Sequence, residues 1–305
     1  MRISYRVPRN QFALVNEGAR LKPVGYVSTR SSFASLFHGA ALTASRALAQ
    51  ALLPTLDVET FSIRGFCAPC GLMVNFRVDR KAGGELQDRH WLPNWRERLE
   101  CPACAMNNRQ RLIATLLMQA LGGRPMRHVY LMEQVTPIYR WAKRALVAHR
   151  LYGSEYLGHE YPSGTSVQGL RHEDVQQLSF ATATLDLIVS NDVLEHVPHP
   201  RQAFAECARV LKPGGSLLAT IPFHANSETT VCRAQLIDGN LLHRLPPAFH
   251  GNPVSEKGSL VFSDFGWDIL EQMKSAGFTD AYLELYAAER LGHLGSGELV
   301  FRAIK

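Results

Sequence analysis

From residue 128 onward, apolar-rich runs of strand length alternate with segments whose apolar residues recur at helical spacing. His128–Glu133, Arg150–Tyr156, Leu185–Asn191 and Ser216–Pro222 read as strands buried on both faces, and their alternation with helices predicts an α/β domain built on a doubly wound parallel sheet. After Leu185–Asn191, Phe204, Cys207, Ala208 and Leu211 fall on one side of a helix. Lys212-Pro213-Gly214-Gly215 stops that helix and turns the chain into the next parallel strand. Two further strands are expected over 281–287 and 298–304, after a helix closed by Ala276-Gly277-Phe278. Upstream, Phe33, Leu36, Phe37, Ala40, Ala44, Ala47, Leu48, Ala51 and Leu52 lie near one face of an amphipathic helix over 33–53. His38 and Arg46 interrupt that run, which is too polar for a membrane span.

These patterns divide the chain into a basic N-terminal extension with its amphipathic helix (1–60), a cysteine-bearing module with a connecting helix (61–124) and the α/β domain (125–305). Charge adds one feature: residues 1–56 hold Arg2, Arg6, Arg9, Arg20, Lys22, Arg30 and Arg46 against Glu17 alone, which accounts for the whole net charge of +6. The rest of the chain is balanced, so the α/β domain has no general attraction to nucleic acid. An Arg- and Ser-bearing, acid-poor start is also the composition of a transit peptide. A structural extension is the preferred reading, and with no secretory pattern a reducing cytoplasm is the expected location.

Four cysteines form two pairs, Cys67-Ala-Pro-Cys70 and Cys101-Pro-Ala-Cys104. Each pair presents two thiolates from a tight knuckle, and two knuckles complete the tetrahedral sulfur set that Zn2+ prefers. Disulfides or a redox pair are the alternatives, the first needing an oxidising compartment and the second a βαβ setting that neither pair has. With four protein ligands the zinc would be structural. Cys207 and Cys232 stand alone and read as buried residues. The second knuckle runs into a helix over Leu112, Leu116, Leu117 and Ala120 that Gly122-Gly123 stop. Arg109 and Arg111 on it read as solvated charges, a ligand-facing role being the alternative.

The segment Asp186-Leu-Ile-Val-Ser-Asn-Asp192-Val-Leu-Glu195-His196-Val, then Arg209-Val-Leu-Lys-Pro-Gly-Gly215 and a strand ending Pro222-Phe223, resembles the second half of class I S-adenosylmethionine-dependent methyltransferases. The likeness runs from about Arg127 to Lys305. With its paired cysteines the chain looks like a bacterial subgroup with an N-terminal four-cysteine zinc module. The resemblance implies a Rossmann-like seven-stranded sheet with an antiparallel edge strand, with S-adenosyl-L-methionine across the carboxyl ends of the strands. Glu155, beside Tyr156, would bind the ribose hydroxyls; Asp174 would accept from the adenine amino group with Val175 against the ring. Asn191 and Asp192 would face the methionine end or the transfer cleft, while His196 reads as a structural residue of the helix that follows.

The chain departs from that family at the loop after the first strand of the domain. Val129-Tyr-Leu-Met-Glu133-Gln134-Val-Thr136-Pro137 contains no glycine, although glycine normally lets this loop approach the cofactor. Thr136 followed by Pro137 is still a good helix start, whose N-terminus would meet the cofactor carboxylate. Glu133 and Gln134 would then bind the methionine amino group in a modified way. The departure keeps a second reading open, a catalytically silent methyltransferase fold acting as a zinc-stabilised interaction or nucleic-acid-binding protein. Against it stand Glu155 and Asp174 at sensible cofactor positions and the lack of interleaved aromatic and basic residues in the zinc loop.

Methyl transfer also needs an aligned acceptor and, for oxygen, a base. The long polar segment 223–261 offers His224 and His250 as acceptor-site residues. The acceptor itself is expected to be a small molecule or glycan, by subgroup analogy alone.

Overall fold

The computed structural model describes residues 21–87 and 90–305. Arg2, Arg6, Arg9 and Arg20 of the basic extension lie outside the described residues. The described residues form two compact units, one of residues 21–25, 36–124 (88 and 89 aside) and 285–298, the other of residues 26–35, 125–284 and 299–305. Among the described residues no helix is long and apolar enough to cross a membrane.

The first unit is built on an antiparallel hairpin, Thr60–Cys67 with Leu72–Asp79, in register from Thr60 opposite Asp79 to Cys67 opposite Leu72. Its inward side chains Ile63, Phe76 and Val78 form one cluster with Trp95, Leu99, Leu294, Cys67 and Cys101. The helix expected over 33–53 is two helices, α1 (Arg30–Phe37) and α2 (Ala40–Ala51). Gly39 between them is extended (φ −67°, ψ 161°), and a residue with the weakest helix preference but proline's is where an apolar run divides. Helix α3 (Asn108–Leu121) matches the sequence reading, with the Asn107 side chain accepting from the Gln110 amide at 2.9 Å and Gly122 closing it.

Arg109 and Arg111 correct the reading of solvated helix charges. Arg109 grips Glu97 with Nε and Nη2 at 2.9 and 3.1 Å. Arg111 is fully buried. It donates to the carbonyls of Leu99, Leu291 and Gly292 at 3.2, 2.8 and 2.8 Å, and its guanidinium lies 3.9 Å from the centre of the Phe76 ring. Helix α3 is buried over every residue from 111 to 117, so no face of that stretch is left for a hydrated side chain. A charge there persists only because carbonyl oxygens replace its water.

The seven-stranded sheet contains β1 (Gly25–Val27), β2 (His128–Leu131), β3 (Arg150–Gly153), β4 (Leu185–Asn191), β5 (Leu211–Thr220), β6 (Asp280–Ala288) and β7 (His293–Ile304). Their order is β1-β6-β7-β5-β4-β2-β3. Strands β3, β2, β4 and β5 are mutually parallel, and β7 runs antiparallel to β5. The antiparallel strand therefore lies inside the sheet, since β6 and β1 add beyond it. Beyond β3 no further parallel strand pairs among the described residues; the chain makes a small hairpin of Ser166–Val167 and Leu170–Arg171 instead.

Helix α4 (Pro137–Ala145) follows β2, and α5 (Pro200–Val210) precedes β5 with Ala203, Phe204, Cys207 and Ala208 buried. Leu211, expected on α5, is already strand. Lys212 to Gly215 form a bulge between the pairs Leu185–Leu211 and Leu187–Ser216, where Gly214 takes φ 75°. Asp186 accepts from the His128 amide, Arg127 and Lys212 at 2.8 to 2.9 Å, which fixes the amino ends of β2, β4 and β5. The last helix, α6 (Ile269–Ser275), buries Ile269, Leu270 and Met273. Cys207 is buried as expected, and burial pushes its thiol up to about 12; Cys232 is only half-buried, its Sγ 3.3 Å from the Ala234 carbonyl.

Replacing Arg111 by alanine leaves the carbonyls of Leu99, Leu291 and Gly292 without this donor. We expect the first unit to lose about 3–5 kcal/mol, the range for breaking a buried charge network. Denaturant unfolding followed by Trp91 and Trp95 fluorescence measures it; a loss within error of zero would show that Arg111 is dispensable.

Candidate functional site

Parallel α/β sheets bind ligands outside the carboxyl ends of their strands, so the residues just after β2, β3, β4 and β5 matter most. Glu133 follows β2, Glu155 follows β3, Asn191 ends β4 with Asp192 after it, and Thr220 ends β5. Side chains link three of these four strand ends. The Asn191 amide donates to the Glu133 carboxylate, and the Thr220 hydroxyl donates to Asn191 Oδ1 at 3.4 Å and to Asp192 Oδ1 at 3.0 Å. Asp192 takes φ 52°, a left-handed conformation that Asp tolerates better than most residues. It is the point at which the chain leaves β4, and its amide donates to the Thr220 carbonyl at 3.0 Å.

Glu155 supplies what the glycine-free loop lacks. Its Oε1 accepts from the backbone amides of Gln134 and Val135 at 2.6 and 3.0 Å, so a side chain from β3's end stitches the loop after β2. Its Oε2 accepts no hydrogen bond among the described residues. Burial pushes the Glu155 carboxyl above its ordinary value, against the opposing pull of the two amides. The close approach that glycines usually permit within the loop occurs on the neighbouring strand. A Cβ on Gly153 would overlap the Tyr139 ring of α4 and stand 2.8 Å from the Glu133 carbonyl.

Gln134 and Thr136 complete the loop. Gln134 reaches the small hairpin, accepting from the Arg171 amide at 3.0 Å and donating to the Gly169 carbonyl at 3.4 Å. Thr136 caps α4 through the Tyr139 amide at 3.4 Å, with Pro137 in the first helical position. Asp174 folds onto Gln176, accepting from its backbone amide and side-chain nitrogen at 2.9 and 3.1 Å. Val175 is buried, whereas Tyr156 is exposed, its ring 5.4 Å from that of His172.

The two histidines expected at an acceptor site have different partners. Half-exposed His224 sits with Nε2 3.8 Å from Asp264, whose other oxygen is held by Arg233 at 2.7 Å. His250 lies with Nδ1 3.5 Å from Oε1 of Glu195. Reading along the sequence did not find Glu195 or Thr220. Thr220 could have been sought as the polar residue ending the strand after β4; Glu195 stands next to His196 inside the very motif that carries the family likeness.

In the first unit the four predicted thiols do converge. Cys67 and Cys104 stand 3.9 Å apart at Sγ, as do Cys70 and Cys101, and all four sulfurs lie within 4.8 Å of one another. Tetrahedral thiolates at a Zn–S distance of about 2.3 Å are separated by about 3.8 Å, so these residues could hold one zinc ion. Each pair is shaped by its own turn: Gly71 (φ 67°) closes the first and Ala105 (φ 59°) the second, with the Gly71 amide on Cys67 O at 2.9 Å and the Ala105 amide on Cys101 O at 2.8 Å.

Residues 120–219 match the family model described as a methyltransferase domain, a span that includes Glu133, Glu155, Asp174, Asn191 and Asp192. A Mycolicibacterium smegmatis protein described as a probable S-adenosylmethionine-dependent methyltransferase is 34% identical over 80 residues, 25% of this chain and 31% of that protein. The ubiquinone biosynthesis O-methyltransferase of Hahella chejuensis is 42% identical over 60 residues, 19% of this chain and 25% of its own length. The matches thus span only a quarter to a third of these relatives. Among solved structures, a Burkholderia thailandensis 1,6-didemethyltoxoflavin-N1-methyltransferase with S-adenosylhomocysteine bound is 17% identical, covering 64% of this chain and 77% of its own, with a TM-score of 0.38.

The clamp makes Gly153 irreplaceable on steric grounds. Gly153→Ala is expected to cost about 1–3 kcal/mol, as overpacking does, and Tyr139→Leu in the same chain should return part of it by removing the overlapping ring. Urea unfolding of the single and double variants decides this, and an alanine variant as stable as the parent would refute the close approach.

Proposed function

We propose that this chain, whose residues 120–219 match a methyltransferase-domain model, is a class I S-adenosylmethionine-dependent methyltransferase that transfers a methyl group from S-adenosyl-L-methionine to a small-molecule or glycan acceptor. The observation that carries the reading is Glu155: buried, fixed by two loop amides through one oxygen, and left with a second oxygen to accept from a ribose hydroxyl. Bound cofactor supplies an electrophilic sulfonium methyl; the chain's part is to hold and orient it. Asp174 and Val175 suit the adenine ring, one as acceptor and one as apolar wall. The capped N-terminus of α4 suits the carboxylate of the methionine end. The Glu133–Asn191 pair, with Asp192 beside it, suits the ammonium and leaves the acceptor at the ends of β4 and β5.

His224 and His250 stand on the segment after β5, where an acceptor would arrive, and both are read as acceptor-site residues. The zinc reading of the four cysteines belongs to the same proposal. Cys67 and Cys101 are part of the first unit's hydrophobic cluster, so the metal would hold that unit together. The catalytically silent alternative is not favoured, since the relatives that part of this chain matches are described as methyltransferases.

Calorimetric titration of zinc-loaded protein with S-adenosylhomocysteine tests the cofactor claim. Binding is expected to weaken about tenfold or more in Glu155→Ala, the worth of a charge-assisted hydrogen bond; equal affinity in both would remove Glu155 from the site. The neutral form of a carboxyl with a raised pKa takes over as pH falls, while an ordinary Glu stays ionised down to about 4.3. A protonated Glu155 accepts poorly, so affinity should decline on acidification before ordinary carboxyls titrate, and this component should vanish in Glu155→Gln. For the metal, elemental analysis should find about one zinc per chain and less in Cys101→Ser. Stripping the zinc with a chelator should unfold the first unit, and retention of its tryptophan signal after metal loss would contradict a structural role.

A further inference from the structure

We propose that Glu195, His196 and His250 form a second metal site, one that takes a divalent transition-metal ion and lies within the methyltransferase unit. Glu195 is 1% exposed, and among the described residues neither carboxylate oxygen accepts a hydrogen bond. A carboxylate stripped of water and of donors is costly unless a cation meets it. Two ring nitrogens face it, His196 Nε2 and His250 Nδ1, each 3.5 Å from Oε1. That spacing is long for a charge-assisted hydrogen bond, which closes to about 2.7–2.9 Å. It matches the edge of a tetrahedron whose metal–ligand distances are about 2.1 Å, which is about 3.4 Å. The three donor atoms lie within 4.8 Å of one another.

The hydrogen bonding of His196 is an independent observation. Its Nδ1 stands 2.9 Å from the Leu260 carbonyl, which can only accept, so Nδ1 is the donor there and Nε2 is the nitrogen turned toward Glu195. Metal-bound imidazoles are held in this way, the far nitrogen donating to a carbonyl or carboxylate. The backbone reinforces the arrangement: the Phe262 amide donates to the Glu195 carbonyl at 2.8 Å, fixing the segment after Ser255–Leu260 against the end of β4's loop. His250 comes from the strand Phe249–Asn252, paired with Ser255–Leu260, so one hairpin carries both His250 and the carbonyl that orients His196.

Two imidazoles and one carboxylate suit Zn2+, Fe2+, Mn2+ or Co2+ and leave coordination positions open, unlike the four-cysteine set. His250 is half-exposed, which gives an ion and a further ligand access. Resting on the methyl-transfer reading, the open positions lie three residues beyond Asp192 and would take an acceptor hydroxyl. The ion would lower that hydroxyl's pKa so that its proton leaves to solvent, and the oxygen would then attack the sulfonium methyl as the methyl–sulfur bond breaks toward sulfur.

The test uses the zinc-loaded full chain and Mn2+ as probe, because Mn2+ prefers nitrogen and oxygen donors to thiolates. Electron paramagnetic resonance of a Mn2+ titration is expected to show one ion bound per chain. His250→Ala, on an accessible strand, should weaken uptake at least about tenfold, the loss that even outer-shell partners cause, and the isosteric Glu195→Gln should abolish it. Circular dichroism checks that both variants fold. No uptake by folded wild-type protein, or uptake unchanged in both variants, would overturn the site and leave an ion pair between Glu195 and its histidines. Titration of the same samples with S-adenosylhomocysteine separates the two claims: Mn2+ bound without the nucleoside sinks methyl transfer and keeps the ion, and the reverse sinks only the ion.

Discussion

The Glu155 carboxylate on the amides of Gln134 and Val135 is the contact on which the loop after β2 depends. A loop without glycine between a strand and a helix must find another way to turn tightly and to satisfy its amides. Here a side chain from the next strand accepts both amides, and Gly153 clears the space that lets α4 approach. The remaining ends follow from that anchor. With Glu133 fixed in the loop, Asn191 can donate to it, and Thr220 can bind Asn191 and Asp192 in turn, so that β2, β4 and β5 end in one hydrogen-bonded row. Such a row is hydrogen-bonded before any ligand arrives, which suits the proposed positioning of a methyl donor.

The first unit solves a different problem. Its apolar cluster is small, and two of its members are cysteines. A module of this size gains most from a cross-link through metal, and the convergence of four sulfurs supplies the means. Arg111 complements them: buried beneath the knuckles' strand, it satisfies carbonyls of both the 99 and the 291–292 segments and covers Phe76. The stretch 285–298 belongs to this unit although it lies far along the chain, and those carbonyls show one way in which it is retained.

What the sequence disclosed was local. The cysteine pairs, the Thr136 cap, the strand Leu185–Asn191 and the apolar face of α5 are each fixed by residues a few positions apart, and each is found in the structure. What it hid was the partner of each long-range contact. Arg111 reads as a solvated charge because helical spacing does not reveal that α3 is buried all round. The break at Gly39 was visible as a glycine, yet nothing adjacent said that the apolar face would not continue through it. His250 could be named from its loop, but its meeting with Glu195 spans 55 positions and depends on a hairpin that a polar, turn-rich segment does not announce. The missing glycine motif pointed at the right loop and could not say that Glu155 would occupy it.

The most direct test of this account is the structure of the chain with S-adenosylhomocysteine bound. The account predicts Glu155 Oε1 still on the amides of Gln134 and Val135, Oε2 on a ribose hydroxyl, and the amino-acid end of the ligand between Asn191 and the start of α4. A nucleoside seated elsewhere, or a Glu155 whose Oε2 makes no contact with the bound ligand, would contradict it.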